Sequence, residues 1–253
     1  MVSLSELLQE SNGSPKAIFM AGPAGSGKST IIKELIPSYF TTLNIDDEYE
    51  KLLTTSGLGM AQKDFSPEEL SQAAKFMSQA QKLTREKFKT LSQELKDIII
   101  DGTGASTRPL LKKKTDLELL GYDTFMIMLN VSPITSLKRN ISRNRQLLPT
   151  IITKTWKMVN TNIDIFREEF GNNFILIDND PADAEKDFDP KEIKIRFFDT
   201  TKAKGKPKTP EQIAKKAKEV EQLNKDIIDL IQIEREYDTL EEAKAKIDRF
   251  LNE

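Results

Sequence analysis

The chain has 253 residues, 38% of them hydrophobic, enough to bury one substantial core and a small appendage. It contains no cysteine and no histidine, which excludes disulfides, thiolate or imidazole metal sites and histidine general bases, and leaves acid–base work to carboxylates, lysines or bound water. A formal net charge of −2 argues against a protein that coats nucleic acid nonspecifically, although a local basic groove fits within that average.

Met1 to Glu10 reads as a short amphipathic helix without the basic head and apolar body of a signal peptide. No stretch approaches the roughly twenty apolar residues of a membrane span, so a cytoplasmic protein with no membrane partner is expected. Ala17 to Ala21 is a short apolar run and predicts a buried strand; Thr30 to Ile36 predicts a helix closed by Pro37. Between them Gly22-Pro23-Ala24-Gly25-Ser26-Gly27-Lys28-Ser29 fits G-x-x-x-x-G-K-[ST] at every fixed position. Glycines let successive N–H groups turn inward around a phosphate, and the following helix points its positive end at the same anion. Lys28 is expected to reach the β- and γ-phosphates of ATP and the Ser29 hydroxyl to ligate Mg²⁺, with Thr30 completing the nucleotide-binding set. Correct flanks on both sides oppose the alternative, a plain glycine-rich turn.

Asn44-Ile45-Asp46-Asp47-Glu48 ends the second predicted strand. A carboxylate at Asp46 would emerge at the same edge as the phosphate loop, to activate an acceptor hydroxyl or hold a water on Mg²⁺; the alternative is a helix N-cap. Ser66-Pro67-Glu68-Glu69 starts a long helix whose stripe runs through Leu70, Ala73, Met77, Ala80, Phe88 and Leu91. Asp97 to Ile100 is a third strand, ended by Asp101-Gly102-Thr103-Gly104, where Asp101 would contact Mg²⁺ or substrate; a simple turn would look similar. A helix over about Arg108 to Leu120, a central strand from Thr124 to Leu129 and a helix begun by Ser132-Pro133 follow. That last helix carries Lys138, Arg139, Arg143 and Arg145 ahead of Pro149. With Arg139 and Arg143 one turn apart, the cluster reads either as a lid over residues 138–150 that brings guanidinium groups to a transferring phosphoryl group, or as a solvated basic face. Trp156 either stacks on a ligand or packs in the core.

Phe174 to Ile177 is the last strand, followed by an acidic loop. Residues 201–209 are basic, carry glycine and proline, and read as a linker. Beyond it, Ile213, Ala217, Val220, Ile227 and Ile231 on one helix and Leu240, Ala243, Ile247 and Leu251 on another, begun by Thr239 and Glu242, predict a helical hairpin over 210–253. Its narrow apolar faces call for cover by the core, by a second copy or by a protein partner. Strands alternating with helices predict an α/β domain over residues 1–200, with a parallel sheet covered on both faces and ligands beyond the carboxyl ends of its strands.

From Ala17 to Ile177 this order of motifs resembles the zeta-toxin-like P-loop kinases: the phosphate loop, Asn44-Ile45-Asp46 where the family has its acceptor-activating aspartate, the acid-Gly-Thr-Gly motif at Asp101, and Gly121-Tyr122-Asp123-Thr124 before the arginine helix. The resemblance implies a three-layer P-loop NTPase fold with a mainly parallel sheet. It implies Asp46 as base, Lys28, Arg143 and Arg145 on the transferred phosphoryl group, and Asp101 with Thr103 on the acceptor; the basic cluster itself adds Arg139 as an expected substrate contact. Asp101 stands where the toxins usually have glutamate, one methylene longer. The expected activity is ATP-dependent phosphorylation of a hydroxyl. The acceptor is a UDP-amino sugar in the toxins and a nucleoside, nucleotide or polynucleotide 5′ end in related kinases, so nucleic acid enters only as an acceptor. A second reading is an ATP-binding switch or structural partner. Asn224-Lys225-Asp226-Ile227 has the wrong spacing for guanine recognition, which opposes a GTPase.

Overall fold

The computed structural model describes residues 13–59, 65–143, 147, 149–182 and 209–253. Five strands, β1 (Lys16–Ala21), β2 (Thr41–Asn44), β3 (Ile98–Asp101), β4 (Asp123–Asn130) and β5 (Phe174–Asp178), form one sheet in the order β2-β3-β1-β4-β5. Every neighbouring pair is parallel. The apolar runs of β1 and β4 are buried along nearly their whole length, as strands covered on both faces must be. Nine α-helices are described: α1 (Lys28–Leu35), α2 (Ile45–Ser56), α3 (Pro67–Gln93), α4 (Thr107–Glu118), α5 (Pro133–Ile141), α6 (Pro149–Thr161), α7 (Ile163–Phe170), α8 (Pro210–Ile231) and α9 (Leu240–Asn252).

Strand alternation divides the core. Ala17, Phe19, Met126 and Leu176 face Phe166 and Phe170 of α7, while Ile18, Met20, Phe125 and Ile175 face Ile31 of α1 and the buried side of α9. Helix and sheet layers thus give the three-layer P-loop architecture. Ser66 and Thr239 form complete capping boxes with Glu69 and Glu242, and the Ser132 hydroxyl accepts the Thr135 N–H at 3.2 Å. Because β1 lies between β3 and β4, the chain after β1 enters the crevice where the strand order reverses, the usual ligand position in such sheets.

The C-terminal helices depart from a hairpin whose members rest on each other. Helix α8 packs outside α6, with Leu223 and Ile227 against Trp156 and an ion pair between Lys157 and Asp226. Helix α9 enters the opposite layer: Ala243, Ile247 and Phe250 are buried there, and the Phe250 ring lies 4.9 Å from that of Phe125. Between them the chain clips onto the edge strand, where Leu176 N–H donates to Asp238 Oδ2 at 2.8 Å and Asp238 N–H donates to Leu176 O at 2.7 Å. Residues 210–253 are therefore packed into the domain rather than set off from it, and Ile227, Ala243 and Ile247 are covered by the chain's own core. The linker (201–209), Thr209 apart, and the Met1 to Glu10 helix lie outside the described residues. Trp156 is a core residue, its indole N–H donating to Val131 O at 2.7 Å. None of the described helices is long and apolar enough to cross a membrane.

Candidate active site

The phosphate loop joins β1 to α1 and needs its glycines. Gly25 and Gly27 have φ of 77° and 90°, in the left-handed region that side chains disfavour. A Cβ on Gly22 would stand 2.6 Å from both Leu129 O and Ser26 Oγ. Three consecutive loop carbonyls are tied from outside: Ala24 O accepts from the Ser136 hydroxyl, Gly25 O from Arg139 Nη1 at 2.8 Å, and Ser26 O from Asn179 Nδ2 at 2.8 Å. Holding the carbonyls outward is what allows amide groups to face an anion. Lys28 Nζ donates to Gly22 O at 2.9 Å, so the ammonium folds back over the loop. Burial lowers its pKa; Asp101 opposes this, Arg143 adds to it and Asp46 opposes it, with burial the largest.

The Asp101-Gly102-Thr103-Gly104 turn is bolted to the same loop. Gly102 N–H donates to Met20 O at 3.1 Å, and Gly22 N–H to Thr103 O at 3.0 Å. Gly104 has φ of 73°, and a Cβ there would lie 2.7 Å from Ala21 Cβ, so the turn presses directly on the end of β1. The Thr103 hydroxyl accepts from Ala105 N–H at 3.2 Å. Burial raises the Asp101 pKa; Lys28 opposes it, Asp47 and Asp46 reinforce it, and the bond from Asn44 opposes it. Among the described residues Asp101 Oδ1 is buried without a hydrogen-bond partner.

Asn44, not Asp46, caps α2: its side chain accepts the Asp46 N–H at 2.8 Å. The same side chain donates to Asp101 Oδ2 at 2.7 Å. Asp46 lies in the first turn of α2, exposed toward the loop, and its charge reaches both Lys28 and Asp101. Two arginines differ from expectation. Arg139 Nη1 and Nη2 donate to Gly25 O and Asn179 O, the latter at 3.0 Å, so it braces the loop from the cavity wall. Arg143 is not one helical turn further on, because α5 stops at Ile141; it sits just past the helix end, exposed, its N–H on Asn140 O at 3.2 Å. Arg145 lies outside the described residues.

A cavity of about 980 Å³ brings together Ala24 through Thr30 of the loop and α1, Asp46, Asp101, Thr103, Arg139 and Arg143. Gly22 and Pro23 are buried behind it. Sequence reasoning missed Asn44, Ser136, Asn179 and the wall formed by Tyr237–Leu240. Among the described residues no three acidic side chains gather as a cation cage, and Mg²⁺ carried by nucleotide phosphates needs none, since it takes one or two protein oxygens and keeps several waters. The orphaned Asp101 Oδ1 and the exposed Ser29 hydroxyl fit that role.

The model of the zeta toxin family matches residues 4–180. The chain belongs to the zeta toxin family. Family and fold make this zeta toxin relative a nucleotide-binding phosphotransferase of the P-loop kinase class. Among solved structures it is similar to the AvrRxo1-ORF1:AvrRxo1-ORF2 complex with ATP, at 13% identity over 92% of this chain and 85% of that one, TM-score 0.56. It also matches a structure of the PezAT chromosomal toxin–antitoxin system of Streptococcus pneumoniae, at 15% identity over 88% and 89%, TM-score 0.47. No curated protein matches this zeta toxin family chain in sequence.

Proposed function

We propose that this chain transfers the γ-phosphoryl group of ATP to a hydroxyl of a small-molecule or nucleotide-containing acceptor in the cytoplasm. The observation that supports the reading is one cavity shared by Lys28, Asp46, Asp101 and Arg143, at the carboxyl ends of β1, β2 and β3 and the end of α5. Lys28 leaves Gly22 O for the β- and γ-phosphate oxygens. Asp46 takes the proton of the acceptor hydroxyl as its oxygen bonds to the γ-phosphorus and the bond to the bridging oxygen breaks, releasing ADP. Arg143, with Arg145, spreads hydrogen bonds over the transferring oxygens. Ser29 and Asp101 would hold Mg²⁺, which when bound neutralises phosphate charge. Thr103 presents its hydroxyl oxygen on the acceptor side. A switch that only binds ATP leaves Asp46 and Arg143 without a task.

The test is purified protein with labelled ATP against UDP-sugars, nucleosides, nucleotides and 5′-hydroxyl oligonucleotides, with Lys28→Ala as control. Transfer to one class, absent in the variant, supports the reading. Tight ATP binding with no transfer to any hydroxyl would favour the switch.

A further inference from the structure

We propose that a second cavity, behind the strap of residues 232–239 that joins α8 to α9, binds a free α-amino acid with an apolar side chain. The cavity holds about 270 Å³, less than the about 300–1,000 Å³ that drug-sized ligands take. It lies in the other helix layer from the phosphate loop. Its apolar wall comes from Trp156 of α6 and from Leu230 and Ile231 of α8, whereas the cavity of the phosphate loop has Ile31 of α1 and Leu240 of α9. Among the described residues the two share only Asp178 and Tyr237, so they stand back to back across the strap.

Orphaned polar atoms mark the place. Among the described residues five buried side-chain atoms lack a hydrogen-bond partner, a costly state that a bound molecule can relieve. Two of them, Ser26 Oγ and Asp101 Oδ1, belong to residues lining the phosphate-loop cavity; the other three, Asn130 Oδ1, Asn160 Oδ1 and Arg235 Nε, belong to residues lining this one. Asn130 and Asn160 are only 9% and 1% exposed. Their amide nitrogens are spent, Asn130 Nδ2 on the Tyr237 hydroxyl at 2.9 Å and Asn160 Nδ2 on Trp156 O at 3.1 Å, so each side chain offers an oxygen that needs a donor. Arg235 spends Nη1 on Leu230 O at 3.3 Å and Nη2 on Asn160 O at 3.2 Å. Those partners are neutral carbonyls, and its Nε–H still needs an acceptor. One ammonium supplies donors to both amide oxygens, and one carboxylate supplies the acceptor together with a charge opposite to that of Arg235. An α-amino acid carries the two groups on one carbon. Its side chain would then bury apolar area against Trp156, Leu230 and Ile231, while the Asp178 and Asp180 carboxylates in the same lining favour the ammonium.

The experiment is thermal melting and calorimetry on the full chain with leucine, valine, methionine and phenylalanine, and with the two halves of leucine: isopentylamine, which lacks the carboxylate, and 4-methylpentanoate, which lacks the ammonium. At about 10 mM at least one of the amino acids should raise the melting temperature, each half of leucine should bind at least about tenfold more weakly than leucine, and saturating ATP should not displace the amino acid. Arg235→Lys keeps the charge and loses the Nε–H, so it should weaken the amino acid about tenfold; its melt without ligand shows whether it folds, and if it does not, the wild-type comparison of leucine with its halves still decides. No shift with any of the four would mean that ordered water alone fills the cavity and overturns the proposal. Equal affinity for leucine and isopentylamine would overturn it by leaving Arg235 idle, and displacement by ATP would overturn it by moving the ligand to the phosphate-loop cavity.

Discussion

The side-chain amide of Asn44 ties together the two acidic residues of the site: Nδ2 donates to the Asp101 carboxylate at Oδ2, 2.7 Å away, and Oδ1 accepts the backbone N–H of Asp46 at 2.8 Å. One residue thus sets the start of α2 and orients the acid at the end of β3. Asn44→Ala should cost about 1 kcal/mol of stability through the lost cap and reduce turnover more than ATP affinity. Asn44→Ser keeps a capping oxygen but cannot donate the same bond to Asp101, so it should recover stability and not turnover. Urea melts and steady-state kinetics on both variants check this; full kinetic recovery in the serine variant would show that the Asp101 bond is idle.

Lys28→Ala should abolish transfer while the protein stays folded, because the lysine's one described bond in the loop is to Gly22 O. Calorimetry with Mg·ATP and circular dichroism separate the two effects. Retained affinity and turnover would remove the loop from the nucleotide site.

Asp46→Asn keeps size and hydrogen bonding but loses the basic oxygen, so transfer should fall by about 10²–10⁴-fold with little change in ATP affinity. The same variant at Asp47, whose charge is felt at Asp101 but is not among those acting on Lys28, should be far milder. Reversed results would move the base by one residue.

Burial holds the Asp101 carboxyl above its ordinary 3.8. A raised folded pKa contributes stability that is full below the unfolded value and is lost as pH rises through the folded one. Between 3.8 and the raised value the folded state binds more proton, so stability falls as pH climbs. Asp101→Asn should flatten that slope and stabilise the protein at neutral pH while impairing transfer. Urea midpoints across mildly acidic pH measure it; an unchanged slope would mean that other carboxyls set the acid limb.

Truncation before Lys202 should destroy the fold, contrary to the expectation of an independent core, because it removes Ala243, Ile247 and Phe250 from the layer facing Ile18 and Phe125. Phe250→Ala alone should cost about 3–5 kcal/mol. A truncated chain that melts cooperatively and gains stability from Mg·ATP would show that α9 is dispensable.

The parts legible in the sequence were those whose cause is local. Ser66 followed by Glu69, and Thr239 followed by Glu242, announce helix starts within four residues, and the phosphate loop declares its glycines by spacing. The arginines were less legible because spacing on a helix says which side chains share a face, not what lies opposite. Arg139 meets Gly25 O and Asn179 O, 114 and 40 residues away in the chain. Asn44 and Asp46 are both good caps, and only the hydrogen bond decides between them. The strap at Asp238 has no strand pattern at all, so its docking on β5 could not be read from periodicity.

That docking has a consequence for the order in which the protein is made. Strand β5 leaves the ribosome 62 residues before the aspartate that occupies the backbone of Leu176. Until then the sheet carries an open apolar border able to pair with another chain. Completion of this sheet border therefore waits on the strap and α9, and a polypeptide made only as far as β5 is the form most exposed to aggregation and most in need of a chaperone.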